Sequence, residues 1–254
     1  MPGKFKELMA QLNDEDVRVQ PPMQGEPQGQ PIECTMEHKK TLDEKYTFNQ
    51  GWVEQLLVTD AVLCESKEAE IFRLDPKAKR QIVEIGIYEG ASSCFWSDNY
   101  LEHPESRLLC IDPFTGSSEH HENPQNYPEL ENIETTARGN IAKSKYPEKI
   151  SILNQFSQFA FMDLDLRHMG QKWIDVLYID GAHDGVSVAR DIALYVPMVK
   201  PEGLVIFDDY PHPEVRRAVD MTLNAFATAE KAIVPVLVRS NSVSHRPLAW
   251  QCWP

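Results

Sequence analysis

Short hydrophobic runs alternate with amphipathic stretches through the middle of the chain. The runs are apolar at nearly every position and lie at 81–86, 107–112, 151–153, 174–180 and 203–209. Such runs are typical of parallel strands, which are buried on both faces of their sheet. The stretches between them repeat their apolar positions at helical spacing and lie at 90–101, 133–145, 158–168 and 185–197. The alternation predicts βαβ units, and therefore a parallel sheet that helices cover on both faces.

The C-terminal part of the pattern adds one helix and two further strands. The helix is predicted at 214–229, and the strands at 232–238 and 248–253. The polar loop between the two strands is short enough for a hairpin. The expected fold class is therefore α/β. It is a single Rossmann-like, doubly wound sheet of five parallel strands plus a C-terminal antiparallel hairpin pair, with helices on both faces.

The N-terminal part has a different character. Residues 3–13 place their apolar positions on one helical face, and residues 19–31 are rich in Pro, Gln and Gly. We expect residues 1–32 to form a helix and a flexible linker, and residues 33–254 to form the α/β domain. The first helix either docks on its own domain, mediates a homo-oligomer, or stays disordered. A second helical pattern at 48–63 contains Trp52, a candidate for covering a pocket.

Composition and charge narrow the range of partners. The chain has 254 residues and a net charge of −14, which argues against nucleic acid or anionic membranes as partners. No apolar stretch approaches the roughly 20 residues that a membrane span needs. The five cysteines are scattered and odd in number, which is typical of a reduced, cytoplasmic protein. A small-molecule substrate is the remaining kind of partner.

The first strand-to-helix turn is a candidate ligand site, because ligands of open α/β sheets bind at the carboxyl ends of the strands. Gly86 and Gly90 let the backbone approach a ligand closely. Glu84 and Glu89 would repel a pyrophosphate, as in a nicotinamide dinucleotide, but suit an ammonium or sulfonium group. Asp112 ends the second strand and can accept two hydrogen bonds from a ribose diol. The alternatives are that the two glycines only form a tight turn and that Asp112 only caps a loop.

Three more acids follow the fourth and fifth strands. Asp180 ends one, and Asp208 and Asp209 end the other. Neighbouring strands lie about 4.8 Å apart, so three carboxylates would meet, and a hard cation such as Mg²⁺ would relieve their repulsion. The alternative is that these acids are solvated or cap helices, as Asp184 is expected to do.

The chain from about 80 to 210 resembles the class I S-adenosylmethionine-dependent methyltransferases. It looks most like the small-molecule branch with the catechol and macrocin O-methyltransferases and the cephalosporin hydroxylase-related proteins. The segments that carry the resemblance are VEIGIYEGASS (83–93), LLCIDPF (108–114), FSQ (156–158), YIDGAHDG (178–185) and IFDDY (206–210).

The resemblance implies S-adenosylmethionine as cofactor, with Asp112 on the ribose and Ser157 and Gln158 beside the adenine. The complete set of expected cofactor-binding residues is Glu84, Gly86, Tyr88, Gly90, Ser92, Asp112, Ser157, Gln158 and Asp180. It also implies a metal site at Asp180, Asp208 and Asp209, and a general base at His183.

The expected function is Mg²⁺-assisted O-methylation of a hydroxyl on a small metabolite, such as one of secondary metabolism. His183 would act as general base, since the ordinary pKa of histidine near 6.5 suits that task; otherwise it is a solvent-exposed turn residue. Residues 115–136 have few apolar positions and form either a substrate-covering lid or a solvated loop. The alternatives are a metal-independent N- or C-methyltransferase and a non-catalytic partner protein with this fold.

Overall fold

The computed structural model describes residues 45–49, 75, 77–122, 124–210, 212–227, 233–237 and 248–252. All of them belong to the compact unit Ile32–Pro254. The predicted helix at 3–13, the linker at 19–31 and the helix at 48–63, apart from its first two residues, lie outside the described residues.

The described strands form one seven-stranded sheet. They are β1 (Gln81–Ile85), β2 (Arg107–Ile111), β3 (Ile150–Leu153), β4 (Ile174–Ile179), β5 (Val199–Phe207), β6 (Ile233–Leu237) and β7 (Leu248–Cys252). Their order is β3-β2-β1-β4-β5-β7-β6. The first five pair in parallel, which confirms the predicted five-stranded parallel sheet. β7 pairs antiparallel with both β5 and β6.

The longer helices lie where the periodicity predicts them, with ends shifted by a few residues. They are α1 (Ala91–Tyr100), α3 (Ile133–Ala142), α4 (Ser157–His168), α5 (Gly185–Tyr195) and α6 (Pro213–Ala227). A short helix, α2 (Ser118–Glu122), and two 3₁₀ turns, Pro124–Asn126 and Pro128–Asn132, occupy most of the segment expected to be irregular. No helix in the described ranges has the length and hydropathy needed to cross a membrane.

β5 begins earlier than its apolar run predicts. The run starts at Gly203, whereas the strand starts at Val199. Between them lie Lys200, which is half-buried, and Pro201 and Glu202, which are exposed, so an apolar run does not reveal this part of the strand.

The sheet separates two hydrophobic cores. Odd-numbered residues of β1, such as Val83 and Ile85, pack with α4, α5 and α6. The even-numbered Ile82 packs with α1 and α3, and Tyr46 joins that core from the N-terminal side. Because successive strand residues point to opposite faces, β1 supplies both cores and holds its C-terminal turn between two rigid layers.

Candidate active site

The turn after β1 lies directly against the chain that leaves β4. The Gly86 amide donates to the Ile111 carbonyl at 2.9 Å, and the Asp180 amide donates to the Ile85 carbonyl at 2.8 Å. Gly86 has φ +83°, and a Cβ placed on it would lie 2.6 Å from the carbonyl carbon of Asp180. Only glycine fits such an approach without strain. Two segments that the sequence singles out separately are therefore neighbours.

Asp112 shapes this turn through its carboxylate. Its Oδ2 accepts hydrogen bonds from the amides of Ile87 and Tyr88 at 2.8 and 3.0 Å, and its Oδ1 accepts from the Phe114 amide at 2.7 Å. Burial raises the pKa of Asp112, although these three bonds oppose the rise. Tyr88 has φ +47°, so the carboxylate stabilises a turn conformation that is rare for a residue other than glycine.

Glu84 is fully buried beneath the turn. Its Oε2 accepts a hydrogen bond from Ser93 of α1 at 2.6 Å, and the Cys110 thiol lies 3.7 Å from the same oxygen. Among the described residues, no hydrogen-bond partner reaches Oε1. Burial raises the pKa of Glu84 to about 7. Sequence reasoning missed Ser93 as its partner, although the spacing of strand end and helix start could have suggested it.

Glu89 contacts the segment 45–49. Its carboxylate accepts from the backbone amide and the side-chain amide of Asn49 at 2.8 and 2.6 Å. Asn140 accepts from the Thr47 amide at 2.9 Å and donates to the Thr47 carbonyl at 2.8 Å. These partners are many residues apart in sequence, so no local pattern indicates them.

The N-terminal end of α1 follows the turn directly. Gly90 has φ +80° and lies at the N-cap of α1. Ser92, in the first turn of that helix, is 5% exposed. The turn predicted to bind a ligand therefore has its second glycine in the left-handed conformation, at the start of α1.

Ser157 and Gln158 begin α4 after β3, but their side chains differ in surroundings. Ser157 donates to Asp191 of α5 at 2.5 Å, and its carbonyl accepts from Tyr195 at 2.6 Å. Burial raises the pKa of Asp191 to about 6. The Gln158 Oε1 atom is buried, and no described residue hydrogen-bonds to it. The Ser157 hydroxyl therefore links the α4 start to α5.

Asp180, His183 and Asp209 form a cluster at the carboxyl edge of the sheet. One candidate ligand atom from each lies within 4.8 Å of the others. The Nε2 atom of His183 is 2.7 Å from Oδ2 of Asp209. Burial and the nearby charges of Asp208 and Asp209 raise the pKa of Asp180 well above its usual range. Two carboxylates and one imidazole therefore meet at this edge of the sheet.

Asp208 is placed differently from the sequence-based expectation, because it is not in this group. The Tyr178 hydroxyl donates to its Oδ1 at 2.6 Å. Burial and the charge of Asp209 raise the pKa of Asp208 to about 7. Both residues lie in the turn that follows β5. The Asp208 carboxylate contacts Tyr178, and the Asp209 carboxylate contacts His183. The sequence predicts that all three carboxylates lie at one edge of the sheet. It does not predict that Asp208 contacts Tyr178 and lies outside the group of Asp180, His183 and Asp209.

Asp184 caps α5, as predicted. Its Oδ1 accepts from the Ser187 amide at 2.9 Å. It thus caps the helix, and it is not one of the three residues of the cluster.

The segment 115–136 contacts the glycine-containing turn through Tyr88. The Tyr88 hydroxyl donates to Glu129 at 2.7 Å, and its ring stacks on His120 with centroids 5.4 Å apart. The His120 ring in turn meets Tyr127 edge-on at 4.5 Å. The segment therefore lies against the first turn of the candidate site. Its ordered contacts come from aromatic and polar residues that a count of apolar positions does not detect.

The sheet order, the turn and the strand-end residues define the methyltransferase class of α/β enzymes. Residues 83–210, half of the chain, match the protein family described as "Methyltransferase domain", and the chain belongs to that family. This confirms the enzyme class that the sequence resemblance implies.

Similar proteins are found in distant organisms. Uncharacterized protein R132 of Acanthamoeba polyphaga mimivirus is 31% identical over 142 residues, which are 54% of this chain. The match spans 57% of that relative's length. Solved structures share the fold at low identity. An O-methyltransferase from Bacillus cereus in complex with SAH has a TM-score of 0.51 and 12% identity, covering 86% of this chain and 97% of that one. The O-methyltransferase TomG from Streptomyces achromogenes, in complex with SAM, has a TM-score of 0.51 and 13% identity, covering 85% and 96%.

Proposed function

We propose that this chain transfers the methyl group of S-adenosylmethionine to a hydroxyl oxygen of a small molecule, assisted by a divalent cation. One observation carries the proposal: the turn at Gly86 packs against Asp180. That contact brings the expected cofactor turn next to the cluster of Asp180, His183 and Asp209. A methyl donor and a group that activates a hydroxyl would then lie side by side.

The residues around the turn support S-adenosylmethionine as the donor. The backbone from Gly86 to Ser92 would bind it at the start of α1, and Asp112 would hold the ribose. The Gln158 Oε1 atom, which no described residue satisfies, is available to the adenine. When bound, S-adenosylmethionine supplies a methyl group on a positively charged sulfur. The nearby acids favour that charge, and similar folds bind SAH or SAM.

The donor set fits a hard divalent cation. Mg²⁺ in proteins is commonly held by one or two carboxylates, with water or substrate completing its shell. Asp180 and Asp209 would supply those carboxylates. Burial, together with the charges of Asp208 and Asp209, raises the pKa of Asp180, and a bound cation would oppose that rise. When bound, the cation would orient the substrate hydroxyl and lower its pKa.

His183 is proposed as the base that takes the hydroxyl proton. With its Nε2–H donated to Asp209, the neutral ring carries its lone pair on Nδ1. Asp209 would orient the ring and stabilise the imidazolium that forms. As the hydroxyl oxygen accepts the methyl group that the cofactor would supply, His183 would take the hydroxyl proton at Nδ1. The segment 115–136, held at Tyr88, would cover the substrate.

The His183–Asp209 pair also favours a second candidate function, a metal-independent methyl transfer in which this pair alone supplies the base. The two candidates differ in their response to a chelator. Activity that survives exhaustive chelation, yet is lost in His183→Gln, would support the second candidate and contradict the first.

The experiment combines binding and turnover. Calorimetry with S-adenosylmethionine should show binding by the wild type and by His183→Gln, because His183 is not assigned to the cofactor. Paramagnetic resonance with Mn²⁺ as a probe should show a cation that Asp180→Asn binds at least tenfold more weakly. Methyl transfer to a panel of phenols and sugars should fall by about 10²- to 10⁴-fold in His183→Gln.

His168→Gln is the matched control. Its ring stacks on Trp173, which immediately precedes β4, whereas the candidate site follows the other end of that strand. This variant should behave as wild type. Absence of S-adenosylmethionine binding would overturn the proposal, and a product methylated on nitrogen or carbon would contradict the hydroxyl acceptor.

A further inference from the structure

Helix α4 exposes an apolar stripe on its outer side. Phe159, Met162, Leu166 and Met169 are 56%, 62%, 78% and 85% exposed, whereas Leu164 on the inner side is 4% exposed. At about 100° per residue, Phe159, Met162 and Leu166 fall within an arc of roughly 60° opposite Leu164. Met169 caps the C-terminal end of the helix, in the left-handed conformation. Contiguous exposed apolar side chains of this kind mark interaction surfaces in soluble proteins.

The stripe has a symmetric spacing. Positions 159 and 169, and positions 162 and 166, are equally distant from position 164. In a two-fold contact between antiparallel helices, each residue faces the position reflected through the centre. Leu166 would then face the partner's Met162, and Phe159 would face the partner's Met169. The stripe is therefore complementary to a second copy of itself.

Charges beside the stripe fit the same arrangement. Asp163 and Arg167 are both exposed and lie on the same flank of the stripe. Their midpoint is position 165, one residue from the centre of the stripe. In the antiparallel pair, Asp163 would lie within about 3 Å, measured along the helix axis, of the partner's Arg167. Two such pairs would form, one on each side of the two-fold axis.

We propose that this chain forms a homodimer through the outer face of α4, with the two helices antiparallel and centred near Leu164. The apolar stripe supplies most of the affinity, because exposed ion pairs contribute little by themselves. The two Asp163–Arg167 pairs set the register. An anionic membrane is a poorer occupant, because the chain has a net charge of −14 and acids flank the stripe.

The test is sedimentation equilibrium of the full chain. The wild type should dimerise in a concentration-dependent way, and Leu166→Glu should weaken the dimer at least tenfold. Met221→Glu on α6 is the control, since this side chain is also exposed, at 40%, but lies outside the stripe. Circular dichroism checks that each variant is folded.

Charge reversal separates a second copy from other occupants. Asp163→Arg alone and Arg167→Asp alone should each weaken the dimer several-fold, because each places like charges across the two-fold axis. The double variant should restore the wild-type affinity within about twofold. A second copy alone predicts this rescue, because both partners of the ion pair change together.

Three outcomes would overturn the proposal. The first is a wild type that stays monomeric at 100 µM, a concentration chosen as roughly a hundred times a micromolar Kd. The second is a double variant no better than the single ones. The third is a monomer in which chemical cross-links join α4 to residues 1–32, or which binds phosphatidylserine vesicles through Leu166.

Discussion

Replacing Gly86 with alanine tests whether the first turn and the acid cluster truly share one space. The added Cβ would overlap the Asp180 carbonyl and lie 2.8 Å from the Gly181 Cα, and it would also sit at φ +83°. A non-glycine residue in this conformation costs about 1–2 kcal/mol. The overlap with backbone adds a cost that no side-chain rotation relieves. We expect a total loss of more than about 4 kcal/mol of unfolding free energy.

Two other glycines separate these contributions. Gly170 has φ +70° with no atom within 4 Å of an added Cβ, so Gly170→Ala should cost only the conformational term of about 1–2 kcal/mol. Gly139 lies inside α3, and its added Cβ also meets nothing within 4 Å. Gly139→Ala should therefore stabilise the protein by about 0.5–1 kcal/mol.

Urea unfolding at constant m measures the three free energies, and calorimetry measures binding of S-adenosylmethionine. Binding should be at least tenfold weaker in Gly86→Ala and unchanged in the other two. If Gly86→Ala costs no more than Gly170→Ala, the close approach of the turn to Asp180 is absent. Without that contact, nothing places the methyl donor beside the cluster.

Variants at three further positions test the buried polar contacts. Folding raises the pKa of Glu84 from its ordinary 4.5 to about 7. The unfolding free energy of the wild type should therefore fall by about 3 kcal/mol as the pH rises from the first value to the second. Urea unfolding of Glu84→Gln should lack this fall. Asn140→Asp keeps the acceptor for the Thr47 amide but loses its donors. It should cost about 1–3 kcal/mol and speed hydrogen exchange at Thr47. Asp191→Ala removes the acceptor of the Ser157 hydroxyl, so calorimetry should show several-fold weaker S-adenosylmethionine binding, whereas Asp191→Asn should not.

Much of the fold is predictable from sequence because buried parallel strands have an unmistakable pattern. β1 and β4 are rich in apolar residues and are found where the pattern places them. The start of β5 is not predictable in this way, since the buried Val199 is separated from the apolar run by Lys200, Pro201 and Glu202. The helical turns between 118 and 132 are also not predictable from the sequence, because they are too short to show a helical period.

The candidate site is predictable to the level of the sheet edge and no further. Strand ends place Asp112, Asp180 and Asp209 there, since ligands gather at the carboxyl ends of parallel strands. Which way each side chain turns depends on contacts distant in sequence. Asp208 turns away because Tyr178 lies on the same face of the neighbouring strand, opposite Ile206. Those contacts are absent from any local pattern.

The same contacts show how the site tolerates its own charge. Two of the acids near the cluster have hydroxyl donors: Tyr178 donates to Asp208, and Ser93 donates to Glu84. Burial raises the pKa of both carboxyls to about 7. A carboxyl that takes up a proton adds less repulsion to the cluster than a carboxylate does. Asp180 keeps a raised pKa even so, and a cation or a sulfonium at this edge would lower the pKa that the protein alone keeps high.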